Sequence, residues 1–214
     1  MAVEDKSDKS DKSDKSKEQA TPTDDAAHPK QSKERRKPGP EVGKLYMERQ
    51  AAKQTPMVFV TLDGSLQTTV VEPGKFRHTL LLDGEPTVVD KLALQYHYKQ
   101  VDAGAVAEKI GVDESVQAKG EAMPATYRER HNLPNRDLWY ARKERLTVRF
   151  TLRSGVVFAG MIEWFTNYEV KLDVGIRREG GGAAVILHRH AVLRLELLEE
   201  PKDAPPSDPT GSTG

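Results

Sequence analysis

Cysteine is absent from this 214-residue chain, which excludes disulfides and thiolate metal ligands and fits a reducing compartment. No apolar run approaches about 18 residues, so no membrane-spanning helix is expected. The opening "MAVEDKSDKS" alternates charge and has no apolar centre, so it does not read as a secretory signal. A cytoplasmic location is the expectation. Net charge is missing too: 33 Lys and Arg face 33 Asp and Glu, so a polyanion would have to be met by local patches. Apolar residues are few, at 36% against 31% charged. Part of the chain should therefore be disordered.

What is there is unevenly distributed. Residues 1–43 carry "SDKSDKSDKS" from Ser7 and then "KQSKERRKPGP", with ten acidic and ten basic residues. Such a segment buries too little to offset its ordering entropy and reads as a solvated polyampholyte tail. Its cluster Lys33, Arg35, Arg36 and Lys37 could touch nucleic acid or be a plain basic patch. Residues 199–214 are Pro- and Ser-rich and acidic, a second disordered tail.

The later patterned stretch, 137–198, begins with "DLWYARKER", about two helical turns that bury Leu138 and either Tyr140 or Ala141, with Trp139 expected to anchor the helix on the sheet. Leu146, Val148, Phe150 and Leu152 then alternate with polar residues, the period of a half-buried strand. "RSG" marks a tight turn with Gly155 supplying backbone freedom, and Gly160 inside the next strand suggests a sharp bend or a close backbone approach. "TNY" breaks the chain before "EVKLDV", "GIRREGGG" is a hairpin loop, and "AAVILHRHAVLRLEL" supplies the last strands. A helix followed by five short bent antiparallel strands is a small barrel.

The earlier stretch, 44–100, repeats the order of signals. Setting Gly64 against Gly155 places Glu72 opposite Glu163, Leu81 opposite Leu172 and, after a hairpin length difference, Ala93 opposite Ala191. This reads as a diverged internal duplication. Residues 101–136 connect the copies, with a possible helix in "AGAVAEKIGVDESVQAKGEAM" and linker beyond it.

The second copy resembles Hfq, the bacterial Sm-like RNA chaperone family, across 137–198. The matching features are "RKER" (Arg142 to Arg145), Ser154-Gly155, Gly160 followed by Ile162 and Glu163, the loop "FTNY", and "HRHAV" in place of a Tyr-Lys-His-Ala-Ile motif. The resemblance implies a mainly β fold of two small Sm-like (SH3-like) five-stranded bent barrels, each with a short N-terminal helix. It also implies a ring, since Sm barrels pair their open strand edges with neighbours. Either three chains supply six alternating units, or six second units form the ring with the first units outside.

It further implies a site for single-stranded, U-rich RNA. Tyr168 would stack on a base, Asn167 would meet a base edge, and Arg189, His190 and His188 would line the same pocket. Arg142, Lys143 and Arg145 would form a lateral basic rim that eases pairing of small RNAs with messages. The family's adenine-binding face looks incomplete, with Thr151 and Val157 at its positions. In the first copy Phe76 and Arg77 align with Asn167 and Tyr168, and Leu92 replaces His190, so a mainly structural or oligomerisation role is expected there. From 138 to 198 ten Lys/Arg stand against six Asp/Glu, a local basic excess.

Other readings of the His188-Arg189-His190 run stay open. His188 and His190 on one side of a strand could hold a divalent metal, but no third ligand accompanies them. A general base would need a partnered nucleophile, and none is visible. Either His could be an ordinary core residue, and Tyr168 ordinary edge packing. Trp164 reads as core or subunit contact. No enzyme activity, cofactor or metal is expected. The competing function is an Sm-fold oligomeric scaffold without selective RNA binding.

Overall fold

The computed structural model describes residues 42–130, 133–176 and 180–198; residues 1–41 of the first expected tail, including the Lys33–Lys37 cluster, and all of the second lie outside the described residues, as do 177–179 of the "GIRREGGG" loop, while Val42 and Gly43 of the first tail open a helix instead. The described chain is mainly β. It opens with α1 (Val42–Ala52), then β1 (Met57–Val60), β2 (Ser65–Thr68), β3 (Val70–Pro73), β4 (Arg77–Leu82) and β5 (Glu85–Asp90). A 3-10 turn (Lys91–Ala93) leads to β6 (Tyr96–Lys99). The connector holds α2 (Ala103–Lys109), β7 (Ile110–Val112) and α3 (Glu114–Gln117). The second half follows as α4 (Asn135–Lys143), β8 (Thr147–Leu152), β9 (Val156–Phe165), β10 (Glu169–Ile176), β11 (Gly182–His188) and β12 (Val192–Leu198).

Among the described residues the strands form a nine-stranded sheet in the order β12-β8-β9-β10-β11-β6-β1-β2, with β7 added on β9, and a three-stranded sheet β3-β4-β5. All pairings are antiparallel. No barrel closes through these pairings. The second half runs strand five, one, two, three, four across its sheet. The first half repeats that order, with its second strand broken into β2 and β3. The halves share one sheet because β11 pairs with β6, setting Ile186 opposite His97 and Leu187 opposite Tyr96.

The registers correct the sequence alignment by one residue. Phe59 faces Leu66 in the first hairpin and Phe150 faces Phe158 in the second, so the later turn is one residue longer. Further on, Arg77 faces Asp90 as Glu169 faces His188. Leu80, not Leu81, is therefore the counterpart of Leu172. Burial agrees: Leu80 and Leu172 are both 0% exposed, whereas Leu81 is 40% exposed. Val71, not Glu72, matches Glu163, and both sit where the sheet register slips. Ala93 opposite Ala191 stands.

Local chemistry explains the bends. At Gly160 an added Cβ would collide with the Asp173 carbonyl, the close approach expected from the sequence. Gly155 has φ +82°, a conformation other residues adopt only with strain. In α4, Leu138 and Ala141 turn inward three residues apart while Tyr140 is exposed. The helix stops where the Leu146 N–H reaches back to the Ala141 carbonyl at 2.9 Å and Arg145 takes φ +54°. Trp139 does not anchor this helix: it is 56% exposed, with the Lys143 ammonium over its ring.

One apolar cluster lies in the second half, joined by Tyr96 from β6 and Val106 from α2. A smaller one, around Met47, Phe59, Leu80 and Leu94, fills the first. Each fully buried Leu or Phe contributes about 1.5–3 kcal/mol. No helix of the described residues is long and apolar enough to cross a membrane.

Candidate nucleic-acid interface

The β11–β6 junction brings the titratable side chains together. β11 ends at His188, and the turn through Arg189 and His190 leads into β12. These three side chains are 1%, 3% and 1% exposed, so the sequence's basic run is not a wet strand end. The His188 ring nitrogen Nε2 lies 3.2 Å from Nδ1 of His97 on β6. The Leu94 carbonyl accepts from His190 Nε2 at 2.9 Å, which fixes that tautomer. His78 on β4 and His97 flank Phe59, with ring centroids at 6.2 and 5.1 Å. Burial drives all four imidazoles towards the neutral form: His78 to about 3, His190 to about 4, and His97 and His188 well below their usual range. Lys91 adds to the effect on His78, His97 and His188.

Arg189 ties the site down. It donates from Nη1 to Asn135 Oδ1 and the Thr166 carbonyl, both at 2.8 Å, and from Nη2 to the Leu133 carbonyl at 2.5 Å. Burial lowers its guanidinium pKa to about 10. Arg189 and His190, expected as donors to RNA, spend these donors on protein oxygens. Beside them Lys91 of the first half meets Glu169 of the second in a buried ion pair at 2.9 Å. Glu169 also abuts α1, where a Cβ on Gly43 would collide with its carboxylate.

Tyr168 and Asn167 fall where their loop reaches solvent, Tyr168 half-buried and Asn167 exposed. Thr166 holds that loop by accepting from the Tyr168 and Glu169 N–H groups at 3.1 and 3.0 Å. In the first half the Lys91 N–H donates to the Phe76 carbonyl at 2.9 Å, just as Arg189 N–H donates to Tyr168 at 2.8 Å. Phe76 is therefore the true counterpart of Tyr168, and the first half keeps an aromatic at that position. The two rings approach to 6.4 Å, edge to face. The expectation that Phe76 matches Asn167 fails because of the shorter turn.

Tyr127, a connector residue the sequence reading passed over, lies against both rings. Its centroid is 5.7 Å from Phe76, 5.5 Å from Tyr168 and 5.7 Å from His190. Burial, foremost, raises its hydroxyl pKa to about 12. Tyr was the one aromatic in the polar run "ATYRER", a signal that could have been read.

The basic rim residues Arg142, Lys143 and Arg145 are all exposed. Arg142 and Arg145 line a cleft of about 480 Å³ whose other wall includes Glu163 and Asp173. This cleft is separate from the aromatic cluster and is not uniformly basic. Trp164, expected as core or subunit contact, packs on Tyr46 of α1 at 6.0 Å. On the opposite face Thr151 and Val157 are buried. There β7 pairs along Val157, and Arg194 donates to Thr151 Oγ1 at 3.3 Å. No group of three or more His, Asp or Glu among the described residues is placed to hold a metal.

Comparison with protein-family models and with curated proteins finds no match for this sequence.

Proposed function

We propose that the chain is a non-catalytic, Hfq-like RNA-binding protein built from two Sm-like units, acting in the cytoplasm. It holds U-rich single-stranded RNA at unit junctions and promotes pairing of small RNAs with messages along its Arg142, Lys143 and Arg145 rim. One observation carries the reading. Phe76 and Tyr168 occupy equivalent positions in the two halves and meet beside the His188-Arg189-His190 turn, where β11 of one half pairs with β6 of the other. Aromatic rings that reach a solvent-facing loop suit unstacked bases, at about 1–3 kcal/mol per stacked base.

The assembly follows from the same junction. Among the described residues, β5 pairs only with β4 and β12 only with β8. Each has one outer edge open, a feature that proteins pair or cover. Repeating the β11–β6 contact between chains puts β5 in the role of β11 and β12 in that of β6, with Val88 opposite Leu195. Such a head-to-tail contact builds a ring when its rotation closes, and the six-unit ring implied by the Hfq resemblance would take three chains.

A second reading has its own support. Arg189 and His190 already bond to carbonyls, and Tyr127 covers both rings. These favour an Sm-like scaffold without selective RNA binding. Titration with labelled hexauridylate and hexaadenylate separates the two. RNA binding requires tighter, salt-weakened uptake of the uridine oligomer. Equal, weak uptake of both favours the scaffold.

A further inference from the structure

The connector between the halves ends in a strap, residues 121–130, which holds no helix or strand and crosses the face of the aromatic cluster. Its own bonds are few: Glu129 N–H to the Thr126 carbonyl at 3.1 Å, and the Glu129 carboxylate accepting from Ala125 N–H and Thr126 Oγ1. It is held down from outside. Arg153 donates to the Ala122 carbonyl at 3.3 Å and the Glu129 carbonyl at 3.4 Å, and pairs with Glu121 at 3.4 Å. Arg130 donates to the Asn167 carbonyl at 2.5 Å and stands over the Tyr168 ring at 5.7 Å. Tyr127 is the only strap side chain whose ring meets Phe76, Tyr168 and His190.

We infer that this strap is an internal competitor: Tyr127 covers the Phe76 and Tyr168 rings on a side from which an RNA base would stack on them, and binding requires the strap to lift. The inference rests on the RNA-binding reading above. Its ring meets Phe76 at 46° and Tyr168 and His190 nearly edge-on, at 70° and 86°, so a nucleobase stacking on these rings must move it aside. Most of the hydrogen bonds that anchor the strap are exposed, so lifting it trades them for water. The Arg153 anchor sits on the turn after β8, and the Arg130 anchor reaches the loop that carries Tyr168 itself. A base reaching Tyr168 therefore displaces both Tyr127 and the guanidinium over that ring. Closure taxes affinity by the fraction of open molecules, so a strap closed nine-tenths of the time weakens binding about tenfold.

The test compares the full-length protein with Tyr127→Ala and Tyr127→Trp, reading hexauridylate affinity and trypsin cleavage after Arg128 and Arg130. The expected result for Tyr127→Ala is about three- to tenfold tighter hexauridylate binding and faster cleavage of the strap. Tyr127→Trp keeps a flat ring over Phe76 and Tyr168 and should hold both values near those of the unaltered protein. Saturating hexauridylate should itself speed cleavage at the two arginines in the unaltered protein. Unchanged or weaker hexauridylate binding by Tyr127→Ala, in a protein that does bind the oligomer, overturns the competition while leaving RNA binding intact. No hexauridylate binding by either protein overturns the RNA reading and the competition together. Equal cleavage of Tyr127→Ala and the unaltered protein overturns closure of the strap whatever the RNA result.

Discussion

Acidification should loosen the junction between the halves before it touches ordinary carboxylates. His78, His97, His188 and His190 are all buried there, and burial holds each below its unfolded pKa of 6.5. Above that value neither state carries the extra protons and stability is flat. As pH falls through 6.5 the unfolded chain takes up protons that the folded chain refuses, so stability drops. The loss continues down to about 4 for His190 and about 3 for His78. At pH 5.5 each site contributes about 1.4 kcal/mol of destabilisation. Because His97 and His188 face each other at 3.2 Å and can share a proton, the pair counts as one site. Three sites then remove about 4 kcal/mol, a large part of an ordinary folding free energy of about 5–15 kcal/mol. Urea unfolding followed by tryptophan fluorescence at pH 7.5 and 5.5 reads this directly. With a slope of about 2 kcal/mol per molar, the midpoint should fall by about 2 M. A midpoint that moves by less than about 0.3 M would refute the argument. It would mean that water or rearrangement lets the imidazoles charge in place.

Two further outcomes follow from the packing. Lys91→Met strands the buried Glu169 carboxylate and should cost about 3–5 kcal/mol, with Lys91→Met/Glu169→Leu recovering much of it in thermal melts. Gly160→Ala drives a methyl into the Asp173 carbonyl and should destabilise by about 1–3 kcal/mol, whereas alanine at Gly104, where nothing lies within 4 Å, should not.

The strands of the second half were legible because the inward positions of β8 alternate: Val148, Phe150 and Leu152 are buried while Arg149 is exposed. Gly155 and Gly160 announced their turn and bend for the same reason. The first half was read one residue out of step, since a turn length is set by backbone geometry that residue types only hint at. That slip hid Phe76 as the counterpart of Tyr168. The site itself was half legible. "HRHAV" marked the turn that closes against β6, but the pattern of one strand says nothing of what lies over it. β6 brings His97 and the Leu94 carbonyl, and the strap brings Tyr127, from far along the chain. Thr151 breaks the alternation of β8 because the connector's β7 and the Arg194 side chain enclose it. Trp139 misled because a large aromatic on a short helix is usually buried, and here Leu138 and Ala141 already fill the inner face.

The central claim is that the two halves form one junction inside the chain and leave the matching edges, β5 and β12, for the next chain. Light scattering on the purified protein at neutral pH weighs it most directly. The account requires particles of three times the 23.8 kDa chain mass. Particles of one chain mass, unchanged across concentration, would contradict it.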